Sequence, residues 1–228
     1  MSDNQNHYCM CIETAPTTGK TKAALLNAYR WPAGSTITVK FLEGDSSLRE
    51  RVKKVAREWT GPGMAHLVFN FVDTGDADVR VAFQQGDGSW SYLGTMCRQI
   101  PKAQATMNFG WLTPTSSEDE LRRVVLHEFG HALGLIHEHQ NPQHPIQWNK
   151  DAVRNDLSRP PNSWDDATIE NNMFKRYDPS EVKATDVDGH SIMMYPIPKT
   201  WTLDGFSADL NRELSPTDQT FIRSAYPW

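Results

Sequence analysis

The segment His127-Glu128-Phe129-Gly130-His131-Ala132-Leu133-Gly134-Leu135-Ile136-His137 holds residue types that can bind a metal and activate water. On a helix, side chains four apart share a face, so His127 and His131 project together. Two imidazoles so placed can bind one Zn2+ at about 2.0–2.1 Å each. Glu128 follows a ligand directly, so its carboxylate can approach the open metal position without filling it and take a proton from water there. Gly134 breaks the helix, and His137, three residues on, can return as the third ligand. Three ligands leave a fourth position open, as a catalytic zinc requires and a structural one does not. A bare His-Glu-x-x-His arises often by chance. The longer form fixes three His, a Glu and a Gly at set spacings on a segment that reads as a helix and its end.

The elements around this segment read as follows. Ser117 with Glu120 has the spacing of a reciprocal capping box, and Leu121, Val124, Val125, Leu126, Phe129, Ala132 and Leu133 give the helix an apolar face. Upstream, residues 35–42 alternate Ile37, Val39 and Phe41 with polar neighbours, which predicts a half-buried strand. Asp45 or Ser46 caps a helix whose Leu48, Val52, Val55 and Trp59 form one stripe, and Gly61-Pro62-Gly63 stops it. Residues 66–72, 78–83 and 103–111 predict further strands, with a Gly-rich loop at 84–95. Residues 140–198 read as irregular, with one short helix near 165–174. A last helix opens at Ser215-Pro216-Thr217-Asp218, a cap followed by Pro at the first helical position. Strands with a helix between them, followed by a long helix, predict an α/β layer packed on one side.

Composition narrows the function. The chain has 228 residues, with 23 Lys and Arg against 28 Asp and Glu. That mild acidity, without a dense basic run, argues against a nucleic-acid binder. No apolar window is long enough for a spanning helix, so no membrane role is expected. The first six residues are polar and carry no secretory signal, which leaves localisation unassigned. Residues 1–30 read as an N-terminal extension containing Cys9-Met10-Cys11, a turn at 16–19 and a helix-compatible run at 20–29. Asp73, Asp76 and Asp78 lack a full calcium-ligand spacing.

The long zinc motif resembles that of the metzincin peptidases, and Glu138 after the third His resembles the astacin family. Ser191-Ile192-Met193-Met194-Tyr195 is similar to the astacin-type Met-turn, in which a Met lies beneath the three imidazoles. Residues 77–81 resemble the third metzincin strand, and residues 104–109 the edge strand above the cleft. The likeness covers roughly residues 31–228, which are read as one catalytic domain. It implies an α+β, metzincin-like zincin: a twisted mixed sheet, an active-site helix and an irregular C-terminal subdomain. It further implies a monomeric zinc endopeptidase acting on protein or peptide substrates. In that reading His127, His131 and His137 hold the metal, Glu128 is the base and Tyr195 steadies the oxyanion. Met193 is the Met-turn residue, and substrate adds as a strand along Met107, Asn108 and Phe109. The rival from another class is a zinc-binding module or pseudo-enzyme that captures peptides without cutting them; Glu128 argues against it, since capture needs no base.

Two features depart from the family. Astacin-like enzymes carry two disulfides in the catalytic domain, yet only Cys97 lies in the matching region. In the family, the residue at Glu138 pairs with the freed N-terminus, whereas here about thirty residues precede the matching start. The extension is therefore a candidate latency segment. Cys9 or Cys11 could place a soft thiolate on zinc, bridge to Cys97, or stay free; the sequence leaves all three open. Phe41-Leu42-Glu43-Gly44-Asp45 faintly resembles the aspartate switch of astacin prosegments, but Asp45 fits a helix cap better. His139 and His144 read as cleft-rim or surface residues.

Overall fold

The computed structural model describes residues 7–12, 29–142, 145–177 and 187–228. The turn at 16–19, nearly all of the helix-compatible run at 20–29, and His144 lie outside the described residues. The first expected strand forms as β2 (Thr36–Phe41), with Ile37 and Val39 fully buried. It pairs in parallel with β3 (Val68–Phe71) on one side and β4 (Val79–Ala82) on the other. Beyond β4 lie β6 (Met107–Phe109), parallel to it, and β5 (Ser89–Tyr92), antiparallel to β6. The N-terminal segment adds β1 (Met10–Ile12) in parallel with β5, which gives the order β1-β5-β6-β4-β2-β3. The fold is thus the expected α+β type with a mixed sheet.

Two expectations change here. The glycine-rich stretch at 84–95 contains β5; it escapes the usual alternation because small serines, Ser89 and Ser91, face inward while Trp90 and Tyr92 stay half-buried. Met107, Asn108 and Phe109 are not the edge: β6 lies between β4 and β5 and is fully buried. Asn108 is a clamp there, accepting from Gln84 N and donating to Gln84 O and Gly88 O, which holds the turn into β5.

One helical layer covers the sheet. In α1 (Ser46–Ala56) the Asp45 side chain accepts from Ser47 N and Leu48 N, so the cap reading holds, and Leu48, Val52 and Val55 are buried. A 3-10 turn, Arg57–Thr60, continues it and buries Trp59, whose indole donates to Leu126 O on the neighbouring helix. That helix, α2 (Glu118–Ala132), starts at Ser117, whose hydroxyl accepts from Glu120 N. The reciprocal half of the expected box is missing, because the Glu120 carboxylate turns to Trp111 Nε1 and Arg123 instead. Acidic residues in its first turn complement the helix dipole. The main core lies between this layer and the sheet.

The C-terminal half is less irregular than expected. Its segment from 140 to 198 holds α3 (Lys150–Leu157), which exposes all but Val153 and Leu157 to partial or full solvent and so leaves little periodic signal. Then α4 (Asp166–Ile169) runs into a π-helical turn, Glu170–Phe174. A second apolar cluster, with Trp164, Ile169, Met173, Tyr195 and Trp201, lies in this half. The last helix, α5 (Pro216–Ala225), carries the full reciprocal capping box between Ser215 and Asp218. Among the described residues no helix is long and apolar enough to cross a membrane.

One side chain stitches the sheet to the loops above it. Arg80 on β4 is 1% exposed, and its guanidinium donates to the carbonyls of Gln104, Ala77, Asp78, Cys97 and Ile100. A buried cation is tolerated only when its donors are met. The three cysteines are all buried and unbridged, so no disulfide shares this task. Replacing Arg80 with Leu leaves several buried carbonyls without donors. The expected cost is about 3 kcal/mol or more, read as a lower urea midpoint with an unchanged slope; Arg80→Lys, with fewer donors, falls between.

Candidate active site

The active-site helix is α2, and its end is fixed by hydrogen bonds. Gly134 takes φ +93°, its N–H donates to His131 O, and Leu135 N–H donates to Gly130 O. This is the glycine-dependent C-terminal turn expected from the sequence. The remaining helix-end carbonyls are met by side chains: Trp31 Nε1 donates to Ala132 O and Tyr226 Oη to Leu133 O. With its exit so fixed, the chain carries His137 back toward His127 and His131.

One nitrogen from each of these three buried imidazoles lies within 4.8 Å of the other two. His131 Nε2 is 3.1 Å from His137 Nε2, and His127 Nε2 has no hydrogen-bond partner. Two of the opposite nitrogens are engaged, His127 Nδ1 by Ile192 O and His131 Nδ1 by Leu135 O, both at 2.8 Å, while His137 Nδ1 has no hydrogen-bond partner. A carbonyl at Nδ1 fixes the proton there and aims a bare lone pair from Nε2. Burial depresses the imidazoles, His131 to about 4 and His127 and His137 well below the usual histidine value. They are neutral at physiological pH, the form that ligates metal. Converging bare nitrogens with no protein donor between them fit a zinc ion.

Glu128 is fully buried beside this trio, and neither carboxylate oxygen has a hydrogen-bond partner. Burial raises its pKa well above the ordinary range, while the Cys9 thiol and the Arg123 guanidinium nearby pull it down. Arg123 was not anticipated as a site residue. It lies one turn before His127, is 8% exposed, and is held by Glu120 through Nε at 2.9 Å.

The Met-turn forms the floor. The Met193 sulfur lies against Gly130, where no side chain intervenes. Met193 O accepts from Glu138 N, tying the turn to the segment of the third histidine. Beneath, the Asp218 carboxylate accepts from Ser191 Oγ at 2.7 Å, Ile192 N at 2.8 Å and Ser215 N at 2.9 Å. Asp218 thus acts through Ile192, whose carbonyl holds His127. In the sequence it was legible only as a helix cap.

The N-terminal segment lies across the site. The Tyr195 ring is 4.3 Å from His137 by centroid, and its hydroxyl donates to Cys9 O. The Cys9 side chain lies beside Glu128, whereas Cys11 packs with Leu93 and Met96, and Cys11 N donates to Asn172 Oδ1. His139 corrects an expectation: it is 4% exposed, stacks on His137 at 5.2 Å and meets Asn172 O through Nε2. Periodicity carries no signal for such a residue, since it lies in a 3-10 turn after the helix. Glu138 is half-buried with a pKa raised to about 7 by desolvation and accepts from Asp188 N.

Comparison with known proteins follows the same line. The family model Astacin, which describes a peptidase family, matches residues 25–200. A solved structure of myroilysin shares 43% identity at TM-score 0.85, covering 89% of this chain and 98% of that one. A second, a crystal structure of myroilysin, shares 40% identity at TM-score 0.70, covering 96% and 91%. High choriolytic enzyme 1, a hatching enzyme zinc-protease from the medaka fish Oryzias latipes, is 17% identical at TM-score 0.60, covering 88% and 95%; it shares the fold. No curated protein sequence matches.

Asp218→Asn keeps the shape but removes the charged acceptor beneath the Met-turn. Loosening the carbonyl behind His127 is expected to weaken zinc binding by roughly 10-fold or more, measured by competition with a chromophoric chelator. Unchanged affinity would show that the turn holds His127 without this carboxylate.

Proposed function

The chain belongs to the astacin family of zinc metalloendopeptidases, and from that membership we propose how its residues share the hydrolysis of a peptide bond and how its N-terminal segment restrains it. The observation that carries the reading is the buried trio of imidazoles with an unpartnered carboxylate beside it. His127, His131 and His137 hold the metal. When bound, zinc supplies Lewis acidity at the carbonyl and acidifies water. Glu128 accepts the proton of the attacking water and returns it to the leaving nitrogen. Its desolvated environment raises the basicity of the carboxylate, which suits it to that exchange. Tyr195 donates its hydroxyl to the carbonyl oxygen as negative charge develops there. The bond it makes to the carbonyl of Cys9 is the same kind of bond to the same kind of group.

Substrate adds as a strand along β5, in place of Met107, Asn108 and Phe109. The pairing of β1 with β5 supports this, because the N-terminal segment already uses that rail. The segment is a latency device, and of its two thiols Cys9 is the one at the catalytic centre. A thiolate there is a soft donor for the position that water needs. Substrates are proteins or peptides.

Glu128→Gln is expected to lower kcat on casein by about 10²–10⁴-fold or more while zinc stays stoichiometric. In the full chain, Cys9→Ala should cut casein with its N-terminus intact by mass spectrometry, where zinc-loaded wild type is slow. Equal rates for the two intact proteins would remove Cys9 from the latency reading.

A further inference from the structure

The segment across the cleft delivers one side chain to a built pocket. Tyr8, the neighbour of Cys9, is 6% exposed. Its ring stacks on Trp201 at 5.4 Å and meets Tyr195 and Trp164 edge-on at 5.2 and 6.3 Å. Its hydroxyl donates to Pro196 O at 3.0 Å in a buried bond. The pocket walls are fixed independently of the guest. Trp201 Nε1 donates to Asp156 Oδ2 at 2.7 Å, Trp164 N donates to Leu157 O, and Pro196 directly follows the Met-turn tyrosine. The backbone of the guest is read as well, since Tyr8 N donates to Asn162 Oδ1.

The position of the pocket gives it meaning. Cys9 lies at the catalytic centre, with its carbonyl on Tyr195, and β1 follows along β5. A peptide on the same rail therefore brings the side chain next to its reacting carbonyl over this pocket. Aromatic walls favour a flat ring. The Pro196 carbonyl at the floor favours a ring that carries a donor, because an aliphatic guest leaves a buried acceptor unmet.

The geometry points to a substrate subsite formed by Trp164, Tyr195, Pro196 and Trp201 that selects tyrosine at the residue preceding the one whose carbonyl is attacked. The inference rests on the peptidase reading and specifies its substrate class: proteins with accessible tyrosine in extended segments. Tyr8 occupies the subsite as an internal mimic.

The test uses the full chain carrying Tyr8→Ala and Cys9→Ala, loaded with zinc, so that both pocket and centre are vacated. Digestion of an equimolar degenerate peptide library, sequenced by mass spectrometry, is expected to show tyrosine enriched about tenfold over alanine at the second residue before the cut. Phenylalanine should follow about fivefold lower, the value of one neutral hydrogen bond. In parallel, N-acetyltyrosinamide should raise the melting temperature of full-length Tyr8→Ala, and N-acetylalaninamide should not. Cuts without aromatic preference overturn the subsite and leave the peptidase reading standing, even if tyrosinamide binds, because the pocket then serves only the N-terminal segment. Failure of every zinc-loaded form to cut overturns the peptidase reading, and the subsite falls with it. A library preference for aromatic residues with phenylalanine equal to tyrosine overturns the role of the Pro196 carbonyl.

Discussion

The structure is organised by the need to bury three imidazoles whose inner nitrogens must remain without a protein partner. Such atoms are costly away from water unless a cation completes them. For two of the rings the far nitrogen is fixed by a backbone carbonyl. Ile192 does this for His127 and Leu135 for His131. Each of those carbonyls is in turn set by a larger element. Leu135 follows the glycine turn that ends the active-site helix, and Ile192 is held through its N–H by the Asp218 carboxylate. The final helix, the Met-turn and the helix exit are thus parts of one support. The core between sheet and helices keeps that support from drifting.

Much of this was legible from spacing alone. His127, His131, His137 and Glu128 were fixed by a rigid local rule, helical periodicity plus a glycine stop, and local rules survive folding. Asp45 and Ser215 behaved as caps for the same reason. What spacing could not supply was lateral order. Met107 to Phe109 look like any buried three-residue strand, and only the hydrogen-bond ladder shows that β6 lies inside the sheet, between β4 and β5. β5 itself was missed because serine can face a core when a tight turn and a neighbouring strand leave room for nothing larger. His139, Arg123 and Asp218 act through tertiary contacts formed across gaps in the chain, and no periodicity marks them.

The N-terminal segment joins what the sequence had kept apart. Its cysteine pair offered three meanings, and the structure separates the two residues. Cys9 stands beside the Glu128 carboxylate, while Cys11 is packed among apolar side chains with its amide held by Asn172. Tyr8 adds an aromatic anchor against Trp201 and Tyr195. The segment is held at several places: strand pairing along β5, a ring among Trp164, Tyr195 and Trp201, and the Cys9 carbonyl on Tyr195. Under the proposed latency, release would require these modest contacts to fail together.

Arg80 carries a different lesson. The resemblance implied two disulfides in the catalytic domain, and in this chain Cys9, Cys11 and Cys97 are all unbridged. Its brace is a guanidinium inside a ring of peptide oxygens, assembled by the same event that folds the sheet. Such a brace needs no oxidase or isomerase, makes no mispaired intermediates, and is indifferent to glutathione. The sheet is therefore braced as soon as it folds, by the fold itself.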